Sequence, residues 1–306
     1  MAYAQGDTIL RDHYNIFSTG GADGTANHNV ANINTVWGTG NGNKGYGQTT
    51  TISAVSAGDT VTATQWATLL ARLNSILTHQ AGAGSGITSP TAGDTIAYVS
   101  TLSGKVTDNF NNRLNFNSTR GATTTGANFD AAFSTSTFTQ TITVTFDSAD
   151  KARYFFNSGG RLSLVFSPSG LTDNAKEQSY TDIMNAVGTL HFDQSTSTRT
   201  GSGETLTTDG TTIGYWDLTT SDQTILKLTS DNSTYTGNTL EILLKVAGAA
   251  GSNGGLGTQV IFTITYTDGA DEAFDDAVSG TFRHRIDTVK PETSNLTDVW
   301  GTVTIS

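Results

Sequence analysis

No cysteine occurs in this chain, which excludes a disulfide framework and a thiolate zinc site. The absence leaves the redox compartment open, because a protein without thiols suits either. Charge is also scarce: Asp, Glu, Lys and Arg make up 14% of the residues, against about 25% in an average globular domain. Thr, Ser, Asn and Gly must therefore solvate the surface. Basic residues are the scarcer sign, 16 against 27 acidic, for a net charge of −11. That balance argues against a direct nucleic-acid role, since phosphate binding needs a basic patch. No run of about 18 apolar residues exists, so no membrane span is expected. Met1 to Asp7 has neither a basic n-region nor an apolar h-region. The expectation is synthesis in a cytoplasm without a Sec signal, with any extracellular fate reached by lysis or another route.

Proline is rare, at 3 residues, while glycine is abundant, at 34. Glycine together with threonine favours β structure with many turns. Low charge over a Thr-rich surface is commoner in adhesins and particle proteins than in cytosolic enzymes. Length suggests about two domains.

The first third reads as helical. Gly6-Asp7-Thr8-Ile9 is echoed by Gly58-Asp59-Thr60-Val61 and by Gly93-Asp94-Thr95-Ile96. In the first two copies an aromatic, Tyr14 or Trp66, follows eight residues after the glycine. Thr62 or Thr64 can cap a helix on which Trp66, Leu69, Leu70, Leu73, Ile76 and Leu77 form one apolar stripe, ending near His79-Gln80. A similar helix is expected from Thr8, with Ile9, His13, Ile16 and Phe17 on one side, broken by the insert Ser18 to Asn27. A short helix over Val30 to Trp37 and weak helical spacing over Val106 to Phe116 complete this part. Ala81 to Thr91 and Thr119 to Gly126 have the composition of connectors. The expected organisation is a helical docking module over residues 1–120 and a β-rich domain over 121–306.

In the second part, Phe138, Ile142, Val144 and Phe146 alternate with threonines as in a half-buried antiparallel strand, with Gln140 alone breaking the apolar side. Arg153 to Phe156 and Arg161 to Phe166 read as a hairpin across Asn157-Ser158-Gly159-Gly160. Asn174 to Val187 reads as a helix with Tyr180, Ile183, Met184 and Val187 facing a sheet and Gly188 as its stop. Further strands are expected at Thr189 to Phe192, Gly214 to Leu218, Ile225 to Thr229, Leu240 to Val246, Val260 to Tyr266 and Ser279 to Ile286, with Val303 to Ile305 closing or docking. Leu240 to Val246 reads as buried on much of both faces. The fold class that follows is mainly β: an antiparallel β-sandwich with one inserted helix, preceded by the small helical module.

Several strings carry a family resemblance. Ala152-Arg153-Tyr154-Phe155-Phe156-Asn157-Ser158-Gly159-Gly160 resembles a segment of virion proteins from tailed bacteriophages, chiefly marine and cyanobacterial ones. Val36-Trp37-Gly38-Thr39-Gly40, Gly45-Tyr46-Gly47-Gln48, Trp66 and His79-Gln80 look like an N-terminal module of the same proteins. There a helix ends in a Gly-Tyr-Gly-Gln loop and a second helix ends in His-Gln; the insert Ser18 to Asn27 departs from that pattern. Gly280-Thr281-Phe282 ahead of Pro291 looks like the end of the domain. The resemblance implies a structural component of a virion, in the neck, collar or tail, assembled with its own copies and with other virion proteins.

Chemistry-bearing patterns are sparse. The histidines His13, His28, His79, His191 and His284 are never paired at helical metal-clamp spacing. His79 reads as a helix-end cap, and His284, between Arg283 and Arg285, as the solvent side of a strand. Glu177, Asp182, Asp193 and Asp217 are available carboxylates without a motif, and no Gly-x-Ser-x-Gly elbow is present. The glycine-rich stretch Gly38 to Gln48 lacks the Lys-Ser/Thr of a P-loop and no strand feeds it. Asp268 to Asp276 could offer oxygen ligands to calcium, but it does not match an EF-hand, and a solvated hairpin turn is the plainer reading. No catalytic, cofactor-binding or metal residue is therefore assigned. The rival reading is an adhesion or fibre module binding a host surface glycan, with Tyr215, Trp216 and Tyr235 as stacking platforms. Capsid decoration is a further alternative.

Overall fold

The alternation of threonine with large apolar residues after position 136 builds sheets, and these form the body of the second part of the chain in the computed structural model. It describes residues 11–22, 24–94, 99–117, 119–133, 136–247, 257–269 and 275–306. The chain divides into two units. One comprises the described residues up to Gly121 together with Arg153–Gly159 and Pro291–Trp300; the other comprises Ala122–Ala152, Gly160–Lys290 and Gly301–Ser306.

The second unit is mainly β, with two six-stranded sheets and antiparallel pairing throughout. One sheet holds β1 (Thr123–Thr124), β2 (Asn128–Ala132), β4 (Arg161–Phe166), β5 (Thr189–Phe192), β6 (Ser197–Arg199) and β11 (Thr281–Val289), in the order β1-β11-β4-β5-β6 with β2 also on β11. The other holds β3 (Thr137–Phe146), β7 (Thr205–Asp209), β8 (Gln223–Thr229), β9 (Thr239–Ala247), β10 (Gln259–Thr267) and β12 (Val303–Ile305), in the order β12-β3-β10-β9-β8-β7. Their inner faces meet in an aromatic core: Phe192 touches Phe262 at 6.2 Å between ring centres, and Tyr266 touches Phe282 at 4.6 Å. This is a β-sandwich. The outer face of the second sheet carries threonines in register, Thr139 opposite Thr265 with hydroxyls 3.1 Å apart, where a more charged protein would carry ions. β9 buries alternate residues only, so its second face is half exposed rather than buried as its sequence suggests.

Two helices interrupt the strands. α6 (Ala175–Val187) starts on the Asn174 side chain, which accepts from the Glu177 backbone N–H at 2.9 Å. Its Tyr180 packs edge-on against Tyr266 and Phe282, which seats the apolar stripe on the sandwich. The other is α5 (Ala149–Asn157), and it corrects the expected hairpin: Arg153 to Phe156 are helical. The Ser148 hydroxyl caps α5 by accepting from the Lys151 N–H at 3.2 Å. Burial on the helix outweighs the β preference of three consecutive aromatics. Gly214 to Leu218 is also not a strand, because Tyr215–Asp217 forms a single 3₁₀ turn closed by the Asp217 carboxylate on the Gly214 N–H.

The first unit is helical: α1 (Arg11–Ser18), α2 (Ile33–Trp37), α3 (Ala63–Ala81) and α4 (Val99–Asn111). α3 has the expected capping box, with the Gln65 N–H donating to Thr62 and Thr62 donating back to Gln65, and it ends at left-handed Gly82. α1 turns Tyr14 and Phe17 inward, leaving Ile16 outward, contrary to the expected stripe. α4 begins earlier than its spacing indicates and buries Val99, Leu102 and Val106. The first Gly-Asp-Thr copy, with Thr8 and Ile9, lies outside the described residues, as do Thr95 and Ile96 of the third. In the second and third copies the aspartate backbone N–H closes a turn ahead of the helix, Asp59 onto Ser56 and Asp94 onto Thr91. Among the described residues no helix is long and apolar enough to cross a membrane.

Candidate functional site

The Gly-Tyr-Gly-Gln loop is the keystone of the helical unit. Three backbone bonds tie it to the end of α2: Tyr46 N–H to Val36 at 2.8 Å, Gly47 N–H to Gly38 at 2.8 Å, and Gln48 N–H to Trp37 at 3.0 Å. From there its side chains reach distant segments. The Tyr46 hydroxyl donates to the Arg113 carbonyl and accepts from the Gln80 amide, each at 3.0 Å. The Gln48 side chain donates to the Thr297 carbonyl at 3.0 Å and accepts from its N–H at 2.8 Å, across 249 positions of sequence. Asn157 of α5 donates to the Gly45 carbonyl at 3.1 Å, and the Trp300 indole N–H donates to Ser158 at 3.2 Å. Three chain segments are thus bolted together by buried hydrogen-bonded polar groups, an arrangement that favours one geometry.

His79 sits in the same cluster. Its Nδ1 is 2.9 Å from Glu292 Oε1, and Tyr46 packs edge-on against its ring at 5.2 Å. Glu292 also accepts from the Asn295 N–H and amide, each at 3.1 Å. Burial alone would raise this carboxyl, but the bonds from His79, Asn295 and Ser294 prevail and hold it at about 2. A recess of about 180 Å³ opens beside the pair, lined by Thr78, Asn117, Ser294 and Asn295 among others. A histidine oriented by a carboxylate is the start of an acid–base dyad. Among the described residues Nε2 is buried with no hydrogen-bond partner, so none of them sets a hydroxyl against it. His79 is an inter-segment tie, where its sequence position reads as a helix cap; the α3 terminus itself is closed by Gly82. Glu292 was not legible because nothing local links Pro291-Glu292 to a helix end more than two hundred residues earlier.

The remaining sequence candidates scatter. His284 is fully buried between the sheets, bonded through Nε2 to the Tyr266 hydroxyl at 2.9 Å and through Nδ1 to Gln140. This corrects its expected solvent position: residues 282, 284 and 286 share one face of a strand. It also explains the polar Gln140 on the apolar side of β3. Burial pushes the His284 imidazole down to about 4, against a smaller upward pull from Asp130. His191 bonds Ser163 at 2.9 Å. Asp193 takes a two-pronged grip from Arg161 at 2.9 and 2.8 Å, and Asp182 accepts from Gln178 at 2.7 Å. Glu177 holds Thr172 and Ser279. Glu177, Asp182, Asp193 and Asp217 are each engaged locally, and none of these bonds joins one of them to another. His13 lines a shallow recess with Ile16, Phe17 and Val99; His28 lies in the loop before α2. The stretch Gly38 to Gln48 is spent on the keystone. Of the acidic run Asp268 to Asp276, residues 270–274 lie outside the described residues. Of the rest, Asp268 and Asp275 both bond Lys176. Among the described residues no group of three metal-ligating side chains converges.

The proposed stacking platforms are inside. Tyr215 and Tyr235 are buried, and Trp216 is 6% exposed with its ring edge-on to Tyr215 at 5.1 Å. Trp216→Ala is therefore expected to cost about 3–5 kcal/mol of stability, as for other buried tryptophans. Urea denaturation checks this; an unchanged midpoint would mean that Trp216 contributes little to packing. No family model, curated protein or solved structure matches the chain.

Proposed function

We propose that this chain is a structural component of a tailed-phage virion, an appendage or adaptor of the neck, collar or tail, built to associate with copies of itself and with neighbouring virion proteins. One observation carries the reading. Most of the strings that resemble marine-phage virion proteins, Trp37-Gly38, Gly45 to Gln48, His79-Gln80, Arg153 to Gly159 and the segment opening at Pro291, meet in one helical unit. There they serve as packing and hydrogen-bonding partners of one another. Residues shared for the sake of architecture behave so; residues shared for catalysis converge on an accessible reacting point. The low charge and the threonine-covered sheet favour association through apolar and backbone contacts over ion pairs, and closed symmetry is the default for such assemblies. The net charge of −11 favours protein partners over nucleic acid. The glycan-binding alternative loses its expected platforms with Tyr215, Trp216 and Tyr235 buried.

Gold-conjugated antibody against the chain, imaged on purified particles from the source lysate, tests the proposal. Label confined to the neck, collar or tail is the expected result. Label over the head would favour capsid decoration instead. Bare particles, with the protein free or on cells, would overturn the virion assignment.

A further inference from the structure

The only lysine of α6 stands in an unusual place. Lys176 is 3% exposed, and its ammonium contacts both Asp268, at the end of β10, and Asp275, at 2.6 Å. The Asp268 side chain is 9% exposed and the Asp275 side chain 36%. Phe133 lies under the ammonium with its ring centre 5.5 Å away. Tyr180, one helical turn on, packs against Phe133, Tyr266 and Phe282, and its buried hydroxyl has no hydrogen-bond partner among the described residues. The described surroundings of the ammonium are thus partly aromatic.

Burial works against the Lys176 ammonium, but the bonds and charges of Asp268 and Asp275 outweigh it and raise its pKa. The same arrangement is also a reaction geometry. The nucleophilic nitrogen touches the carboxyl group it would attack, and both sides are held. The Asp268 N–H is fixed to Ser136 at 2.8 Å, the next residue to Asn238 at 3.0 Å, and Asp276 to the Tyr235 hydroxyl at 2.9 Å. Groups held in contact react with a very large effective concentration.

We propose that Lys176 and Asp268 condense spontaneously in the folded protein to an isopeptide bond, with Asp275 as the proton carrier. Asp275 accepts a proton from the Lys176 ammonium and frees the nitrogen lone pair. Nζ attacks Cγ of Asp268, the Nζ–Cγ bond forms, and one Cγ–O bond breaks. The proton returned by Asp275, together with a second one from nitrogen, leaves with that oxygen as water. Ammonium and carboxylate become a neutral amide and one water, and no oxidant or cofactor is required. Within the cluster, the reaction removes the two most buried charges and leaves Asp275, the most exposed member, ionised. It would give a cysteine-free chain a covalent clamp between α6 and β10 across 92 positions of sequence.

Intact mass spectrometry of the purified, denatured full-length chain is the test. The expected mass is one water below that of the sequence, trypsin should fail to cut after residue 176, and one branched peptide should contain both Lys176 and Asp268. Lys176→Arg should return the full sequence mass. Asp275→Asn, which keeps the shape of the site, should fold with an unaltered circular dichroism spectrum and remain largely unlinked. Wild-type protein at the full sequence mass, without a branched peptide after prolonged incubation in the folded state, would overturn the proposal. Complete linkage in Asp275→Asn would overturn the role given to Asp275.

Discussion

Gly47→Ala should lower the stability of the helical unit by about 2–5 kcal/mol, combining a left-handed backbone cost of about 1–2 kcal/mol with overpacking of about 1–3 kcal/mol. The backbone at Gly47 has φ +71°, and a methyl group there would lie 2.2 Å from Cδ2 and 2.5 Å from Cγ of Tyr154. The Tyr154 ring is buried and belongs to α5, whose Asn157 is bonded to the same loop. The ring cannot yield without moving a helix, and the loop cannot yield without releasing its three bonds to α2. Gly58→Ala separates the two contributions, because Gly58 has φ +89° and open space around it; its expected loss is the backbone cost alone. Paired urea titrations of the two variants make the measurement. Equal losses would show that Tyr154 does not pin the loop.

That experiment probes the part of the structure least visible in the sequence. The alternation of β3, the capping box of α3 and the Asn174 start of α6 were legible because each signal lies within a few residues of what it shapes. α5 also had a local signal, Ser148 ahead of Asp150 in a first helical turn, but three aromatics in a row masked it. His284 reads as solvated between two arginines, although strand periodicity alone puts it on the face of Phe282 and Ile286. The contacts of Gln48 with Thr297 and of His79 with Glu292 had no local signature at all. A glutamine or glutamate in a loop reads as solvated until the fold supplies its partner. The helical unit therefore looked continuous over 1–120, when two later segments also belong to it. Its candidate site was legible only as a set of strings whose shared purpose the sequence order conceals.

Acid should weaken the protein as pH falls from about 4.5 toward about 2, with a large contribution from Glu177. This side chain is fully buried at the start of α6. One oxygen accepts from the Ser279 N–H at 2.6 Å and hydroxyl at 2.8 Å, and the other accepts from the Thr172 N–H and, at 2.9 Å, its hydroxyl. Burial by itself would raise the carboxyl, but these four donors outweigh it and bring the group down to about 2. A folded pKa below the unfolded one gives stability that is complete above the unfolded value of about 4.5 and is lost as pH falls toward about 2. The shift corresponds to roughly 3 kcal/mol. Glu292 moves in the same direction to about 2, so both units should soften over one pH window. Glu177→Gln keeps the shape but turns an amide N–H₂ toward groups that already donate. It should cost about 2–4 kcal/mol at neutral pH through buried donors left without an acceptor. Its stability should then fall less steeply than wild type between pH 4.5 and 2, the remaining slope coming in part from Glu292. Thermal melts of both proteins across that range decide the matter. Parallel pH profiles would mean that the donors from Thr172 and Ser279 do not hold the Glu177 charge.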